Sequence, residues 1–142
     1  MPYINAWFHL VWATRNRLPL LGPEIKNLVF EHIQQNAKEK NIYLEMVNGH
    51  TDHIHCLVSL SCDQTLSEIV QMIKGESSFW INKQKLSKRH FAWQDEYFAI
   101  SVSPAHLDNV RNYITNQEDQ HKKITWNEEY EMFLNNYRFK RG

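Results

Sequence analysis

The chain has 142 residues, 42% of them hydrophobic and 13% aromatic, which suits one compact domain with its own core and excludes a disordered chain. Sixteen basic and sixteen acidic side chains give a formal net charge of zero, which argues against nonspecific coating of nucleic acid. There is no apolar run of the roughly 20 residues that a transmembrane helix needs, no signal-peptide pattern and no disulfide framework. We therefore expect one cytoplasmic domain over residues 1–142, without a membrane partner.

The first part of the chain predicts three strands and one helix. The opening stretch is rich in aromatic and β-branched residues without charge, which is typical of a central strand. Asn48-Gly49-His50-Thr51 has the composition of a hairpin turn between the second and third strands. The predicted elements are a strand over 3–14, a helix from Gly22-Pro23-Glu24 to about residue 40, a strand over 42–47 and a strand ending near residue 60.

Helix signals dominate the remainder. Thr65-Leu66-Ser67-Glu68 and Thr125-Trp126-Asn127-Glu128 both fit the capping box, in which a side-chain oxygen and a carboxylate satisfy each other's free amides. An acidic group near the second of these boxes, Glu118, Asp119, Glu128, Glu129 and Glu131, is interpreted as a solvated face. The predicted elements are helices over about 65–85, 103–123 and 125–134, a strand over 97–102 and a loose tail from residue 137.

The resulting order is β-α-β-β-α-β followed by further helices. Two split β-α-β units of this kind form a ferredoxin-like antiparallel sheet with helices on one face. The sequence therefore predicts an α+β fold in which a later helix, rich in polar residues, follows the sheet.

A histidine pair stands out in the third predicted strand. Because alternate side chains of a strand share a face, His53 and His55 emerge together and could share one ion, whereas Ile54, Cys56 and Val58 face the core. A structural zinc site is disfavoured because Cys56 faces away from the pair. Taken alone, the pair more often has only a structural role.

A second motif lies sixty residues further along, in a predicted helix. Tyr113 and Gln117 are four residues apart and so share a helical face. An ion held by two imidazoles and one amide oxygen would leave positions for a phosphate oxygen and water. The tyrosine one turn away could then attack that phosphate.

The two motifs resemble those of the IS200/IS605-type single-strand DNA transposases, the Y1 branch of the HUH endonucleases. The family signature is His-hydrophobic-His on a central strand and Tyr-x-x-x-Gln on a helix near the C-terminus. One departure is Gln120, where relatives often have a histidine just before the one that matches His121. The resemblance runs in order through Asp52 to Val58, Lys74 to Ser78, Tyr97 to Ser103 and Tyr113 to His121.

The resemblance implies that Tyr113 cleaves single-stranded DNA, forming a 5′-phosphotyrosine and a free 3′ hydroxyl that later rejoins strands. It implies that His53, His55 and Gln117 hold Mg²⁺ or Mn²⁺, and that the DNA carries hairpin ends. It also implies a homodimer in which the tyrosine helix of one protomer serves its partner's histidines, although a related group associated with repeated palindromes acts as monomers.

DNA contacts can be predicted only as candidates. Basic side chains could follow the backbone and Trp93 could stack on a base, although a position in the core is the commoner fate of a tryptophan. Two alternatives to an enzyme are a DNA-binding module of the same fold that has lost catalysis and a metal-binding interaction protein with accidental motifs. Because all of the residues that the chemistry needs are present, the sequence favours the enzyme. The basic candidates are Arg15, Arg17, Lys74, Lys83, Lys85 and Arg89.

Overall fold

The structure is a computed structural model that describes residues 1–137 and 139, without the side chains of residues 120 and 122. Apart from residue 139, the tail predicted beyond residue 137 lies outside the described residues. Short 3-10 turns occupy Arg15–Arg17 and Pro104–His106. The main elements are β1 (Ala6–Ala13), α1 (Pro23–Glu39), β2 (Tyr43–Gly49), β3 (His53–Leu60), α2 (Leu66–Lys83), β4 (Phe98–Val102), α3 (Leu107–Thr115), α4 (Gln117–Lys123) and α5 (Trp126–Tyr137).

The four strands form one sheet in the order β2-β3-β1-β4, and every neighbouring pair is antiparallel. β3 lies between β1 and β2, and β1 lies between β3 and β4, which is the arrangement of two interleaved β-α-β units. The predicted ferredoxin-like α+β fold is therefore confirmed. Among the described residues, every helix is too short or too polar to cross a bilayer.

The two faces of the sheet carry different layers. On one face, Trp12, Ile54 and Cys56 pack with α1 and α2 in the larger hydrophobic core, as the alternation in the third strand predicts. On the other face, smaller apolar clusters join the sheet to α3 and α5. The register places Val11 opposite His55 and Ala13 opposite His53, so the histidine pair faces the second layer.

The hairpin and the late helix differ from their predicted boundaries. β2 continues through Gly49, where an added Cβ would collide with the His53 carbonyl oxygen, so the glycine is required by close approach of the two strands. The helix predicted over 103–123 is broken, since α3 ends at Thr115 and α4 begins at Gln117. The second capping box is confirmed, since Thr125 and Glu128 exchange hydrogen bonds in both directions. The first is confirmed in its N-cap half, in which the Glu68 backbone N–H donates to Thr65 Oγ1.

Candidate active site

The orientation of the histidine pair is fixed from behind by two acceptors. His53 Nδ1 lies 2.8 Å from Asp52 Oδ1, and His55 Nδ1 lies 2.8 Å from His9 Nε2. Burial, and then the proximity of His55, lowers the pKa of His9 to about 3, so His9 is a neutral acceptor. In the tautomer that these contacts favour, with a proton on each Nδ1, each Nε2 presents a lone pair to the second layer, as in metal-ligating histidines.

Gln117 converges on the same point. Its Oε1 lies 3.2 Å from His53 Nε2 and 3.2 Å from His121 Nε2. Its Nε2 donates to the Tyr113 carbonyl at 3.2 Å, which sets the amide so that oxygen faces the histidines. The structure therefore brings together the three residues predicted as metal ligands, all fully buried.

An interruption of the helix separates Tyr113 from Gln117. The sequence predicts one continuous helix, but Asn116 interrupts it, so the two side chains belong to α3 and α4. Asn48 of β2 donates from Nδ2 to the carbonyls of Ile114 at 2.8 Å and Thr115 at 3.4 Å. These carbonyls would otherwise be unsatisfied at the end of α3, so Asn48 anchors the break to the sheet.

Tyr113 lies against the histidine pair of its own chain. Its ring centroid is 5.5 Å from that of His55, and its hydroxyl donates to Glu129 Oε1 at 2.7 Å. Burial and the Glu129 charge raise the pKa of the phenol well above its ordinary value. In this arrangement the hydroxyl is protonated and oriented toward the ligand cluster.

Glu129 was missed as a site residue, and its interpretation as part of a solvated acidic face is wrong. It is 1% exposed, with Oε1 at 2.9 Å from His55 Nε2 and Oε2 at 2.9 Å from His121 Nε2. Burial alone raises the pKa of this carboxyl, but the contacts from His121 and His55 outweigh burial and leave the pKa well below its ordinary value. The signal in the sequence was an acid at helical spacing between Trp126 and Phe133, on the apolar face of α5.

These side chains fit a divalent cation. His53, His55 and Glu129 each offer one ligand atom, and the three atoms lie within 4.8 Å of one another. Adjacent ligand atoms that share an octahedral ion at about 2.1 Å stand about 3 Å apart. Glu129 Oε1 lies 2.9 Å from His55 Nε2, and Gln117 Oε1 lies 3.2 Å from His53 Nε2. His55 Nε2 and Glu129 Oε2 are buried without an aligned hydrogen bond, which an ion between them would remedy.

The candidate DNA-binding residues do not form one surface. Arg15 and Lys74 line a groove of about 620 Å³ beside α2, where Lys74 also donates to the carbonyls of residues 94–96. Arg17 instead ties the first loop to α5, since it donates to Asn127 and lies 4.2 Å from the centroid of the Tyr130 ring. The remaining candidates, Lys83, Lys85 and Arg89, are exposed outside this groove.

Trp93 is not available to stack on a base. It is 6% exposed within the larger core, and its indole N–H donates to Ser77 Oγ at 2.9 Å. Of the two roles that the sequence leaves open for Trp93, the structure shows the core position, because the loop that carries Trp93 folds back beneath α2.

Comparison with known protein families gives the class of this protein, a transposase. The family model described as "Transposase IS200 like" matches residues 3–117. The chain belongs to the IS200-like transposase family, as the resemblance in its motifs predicts.

Two curated relatives are transposases of insertion sequences. The chain is 22% identical to the ISDra2 transposase TnpA of Deinococcus radiodurans over 118 residues, and this alignment covers 80% of this chain and 84% of the relative. It is 24% identical to the IS200 transposase of Salmonella typhimurium over 124 residues, and this alignment covers 83% of this chain and 80% of the relative.

Solved structures share the fold. A Deinococcus radiodurans crystal structure, assigned as a transposase, aligns with a TM-score of 0.66 at 22% identity over 82% of this chain and 95% of that one. A REP-associated tyrosine transposase bound to a REP hairpin aligns with a TM-score of 0.57 at 18% identity over 89% of this chain and 73% of that one.

Proposed function

We propose that this transposase cleaves and rejoins single-stranded DNA through a covalent bond to Tyr113. The observation that carries the proposal is the position of the phenol: its hydroxyl and His55 Nε2 contact the same oxygen of Glu129, at 2.7 and 2.9 Å. A nucleophile and a ligand cluster that share a contact atom can engage one phosphate together.

The chemistry is a transesterification. The bond from Tyr113 Oη to phosphorus forms while the bond from phosphorus to the 3′ oxygen breaks, so the DNA retains its ester energy on the enzyme. The phenol loses its proton, and the departing 3′ oxygen gains one. In the reverse sense, a 3′ hydroxyl attacks the phosphotyrosine, so rejoining needs no nucleotide cofactor.

Each site residue has a stated part in this step. Glu129 accepts the hydrogen bond of Tyr113 Oη and holds it beside the cluster, and its low pKa keeps it ionised as an acceptor. Asp52 and His9 hold the proposed ligands His53 and His55 in the tautomer that leaves Nε2 free. A divalent cation, when bound by His53, His55, Glu129 and Gln117, would offset the charge of this carboxylate and polarise the phosphate.

The metal, the DNA ends and the assembly are further parts of the proposal. Imidazole ligands favour Mn²⁺ over Mg²⁺, whereas cellular supply favours Mg²⁺. The structural neighbour bound to a REP hairpin supports a substrate with hairpin ends. A homodimer with the tyrosine acting in trans stays a prediction, and the contact between Tyr113 and the histidines of its own chain does not require it.

The test is a covalent adduct on a denaturing gel after incubation with labelled single-stranded DNA and Mn²⁺ or Mg²⁺. We expect an adduct with the native chain and none with Tyr113→Phe, with His55→Ala or after chelation. Tyr43→Phe is the matched control, because Tyr43 is exposed at the start of β2, opposite Ser59 and away from the cluster, and it should retain the adduct.

Two results would redirect the proposal. An adduct that survives in Tyr113→Phe would move the nucleophile to another tyrosine. DNA binding by the native chain without any adduct, over a range of sequences and both ions, would favour the binding module that has lost catalysis.

A further inference from the structure

An open cleft leads from the surface to the nucleophile. It has a volume of about 630 Å³ and lies between β4, α3 and α5, with Tyr113, Glu129 and His9 among its lining residues. Its volume falls within the range of about 300–1,000 Å³ that small-ligand pockets have. Any group next to a phosphate at Tyr113 could therefore enter the cleft without a rearrangement of the fold.

The lining of the cleft suits a nucleobase and not a phosphate. Apolar side chains, including Ile100, Met132 and Phe133, make up most of its wall. None of the described residues that line it is a lysine or an arginine, so the cleft offers a phosphate no ammonium or guanidinium partner. A flat, uncharged ring with polar edges matches this chemistry, since aromatic and apolar walls stack with every base.

Two amides supply the polar groups that a base edge needs. Asn109 of α3 and Asn136 of α5 both line the cleft, and neither side chain forms a hydrogen bond within the described part of the chain. A side-chain amide offers a donor and an acceptor side by side, which is the pattern that asparagine uses to bind adenine N7 and N6.

We propose that this cleft binds one nucleobase adjacent to the scissile phosphate and that Asn109 and Asn136 select adenine there. The inference rests on the proposed function, because it places the base relative to the phosphate that Tyr113 attacks. It assigns part of the sequence preference at the cleavage site to the protein itself.

The experiment uses the full chain, Mn²⁺ and a pool of single-stranded oligonucleotides in which a constant hairpin is flanked by a randomised segment. Covalent adducts are isolated and sequenced, which gives base frequencies at each position relative to the linked phosphate. We expect adenine enrichment at one position next to that phosphate, and a loss of about fivefold or more in that enrichment for Asn109→Ala or Asn136→Ala. Preferences at other positions should persist.

A switch of preference separates base reading from a loss of structure. Asn136→Asp keeps the size of the side chain but only accepts hydrogen bonds, so the preference should move from adenine toward cytosine, whose N4 donates. Asn112→Ala on α3 and Asn135→Ala on α5 are matched controls, because both side chains are exposed outside the cleft, and they should leave the preference unchanged.

The outcomes distinguish the two proposals. The absence of any adduct with the native chain, or its persistence in Tyr113→Phe, would overturn the proposed function. If Asn109→Ala, Asn136→Ala and Asn136→Asp form adducts normally, with the same base frequencies as the native chain and the two control variants, the cleft assignment alone is overturned. A cleft occupied in solution by a second copy of the chain would overturn it as well.

Discussion

Glu129 is a carboxylate buried beneath α5, beside the histidine pair. A carboxylate that is 1% exposed loses nearly all of its hydration, which is costly unless charge or hydrogen bonds replace it. Tyr113 supplies one hydrogen bond, and two imidazoles lie within 2.9 Å. One carboxylate oxygen nevertheless has no aligned hydrogen bond, so the cluster is completed better by a cation than by protons alone.

Removing the charge of Glu129 should weaken metal binding. For Glu129→Gln we expect Mn²⁺ affinity to fall by about 10- to 100-fold, measured without DNA by the loss of free-ion signal in electron paramagnetic resonance. Glu131→Gln, an exposed acid on the same helix, should bind Mn²⁺ as the native chain does. Equal affinities for the two variants would remove Glu129 from the ligand set and leave His53, His55 and Gln117.

The candidate active site shows which of its residues can be predicted from the sequence alone. His53, His55, Tyr113 and Gln117 could be predicted because their spacing within one strand or one helical turn carries the information. His9 could not, since its position behind His55 depends on how far β1 is offset against β3, which local spacing does not encode.

At the scale of elements, the interruption at Asn116 decides where the nucleophile and the amide lie. A straight helix would advance both side chains along one axis, whereas the break lets α4 turn so that Gln117 is fully buried against His53. Asn48 holds this geometry from the neighbouring strand through the carbonyls at the end of α3. Sequence periodicity predicts a continuous helix here because each half is helical by itself, and the break depends on a contact from 66 residues away.

Loss of the Asn48 amide should therefore disturb catalysis more than stability. For Asn48→Ala we expect a loss of about 1 kcal/mol in the free energy of unfolding by urea titration. Adduct formation should fall by up to about a hundredfold, because small displacements of reacting groups are costly.

Gln34→Ala is the comparison for this variant. Gln34 also donates to strand carbonyls, at 3.2 and 3.4 Å, but from α1 and away from the cluster. It should show a similar or smaller loss of stability with adduct formation intact. If both variants lost activity equally, the anchoring of the α3–α4 break would not be the reason.

At the scale of the whole molecule, the sheet makes the site from distant parts of the sequence. β1 and β3 are the two central strands and supply the histidines, while α3, α4 and α5 bring the tyrosine, the amide and the carboxylate onto the same face. The ferredoxin-like topology was predictable because element order and hairpin chemistry constrain it strongly. The packing of α5 over the site was not, because its short amphipathic pattern does not reveal which surface it covers.

The arrangement of Tyr113 within one chain leads to an expectation about the assembly. The phenol, Glu129 and His55 all contact one another in a single polypeptide. A second copy could still exchange tyrosine helices, as the family resemblance implies, if α3 and α4 moved away from the sheet. Such an exchange would break the Asn48 contacts and the contact between Gln117 and His53 on each chain.

Mixing two inactive variants tests this expectation directly. Tyr113→Phe keeps the histidines and His55→Ala keeps the tyrosine, so a site formed within one chain stays defective in both, and we expect no adduct from the mixture. Exchange of tyrosine helices would instead restore about a quarter of the native yield, the share of intact sites in randomly mixed symmetric dimers. The two variants should be partly unfolded and refolded together, so that any existing dimers exchange subunits. Sedimentation of the mixture should accompany the gel. A dimer without adduct would keep the predicted homodimer and exclude the exchange of tyrosine helices, whereas a monomer without adduct would contradict the homodimer itself.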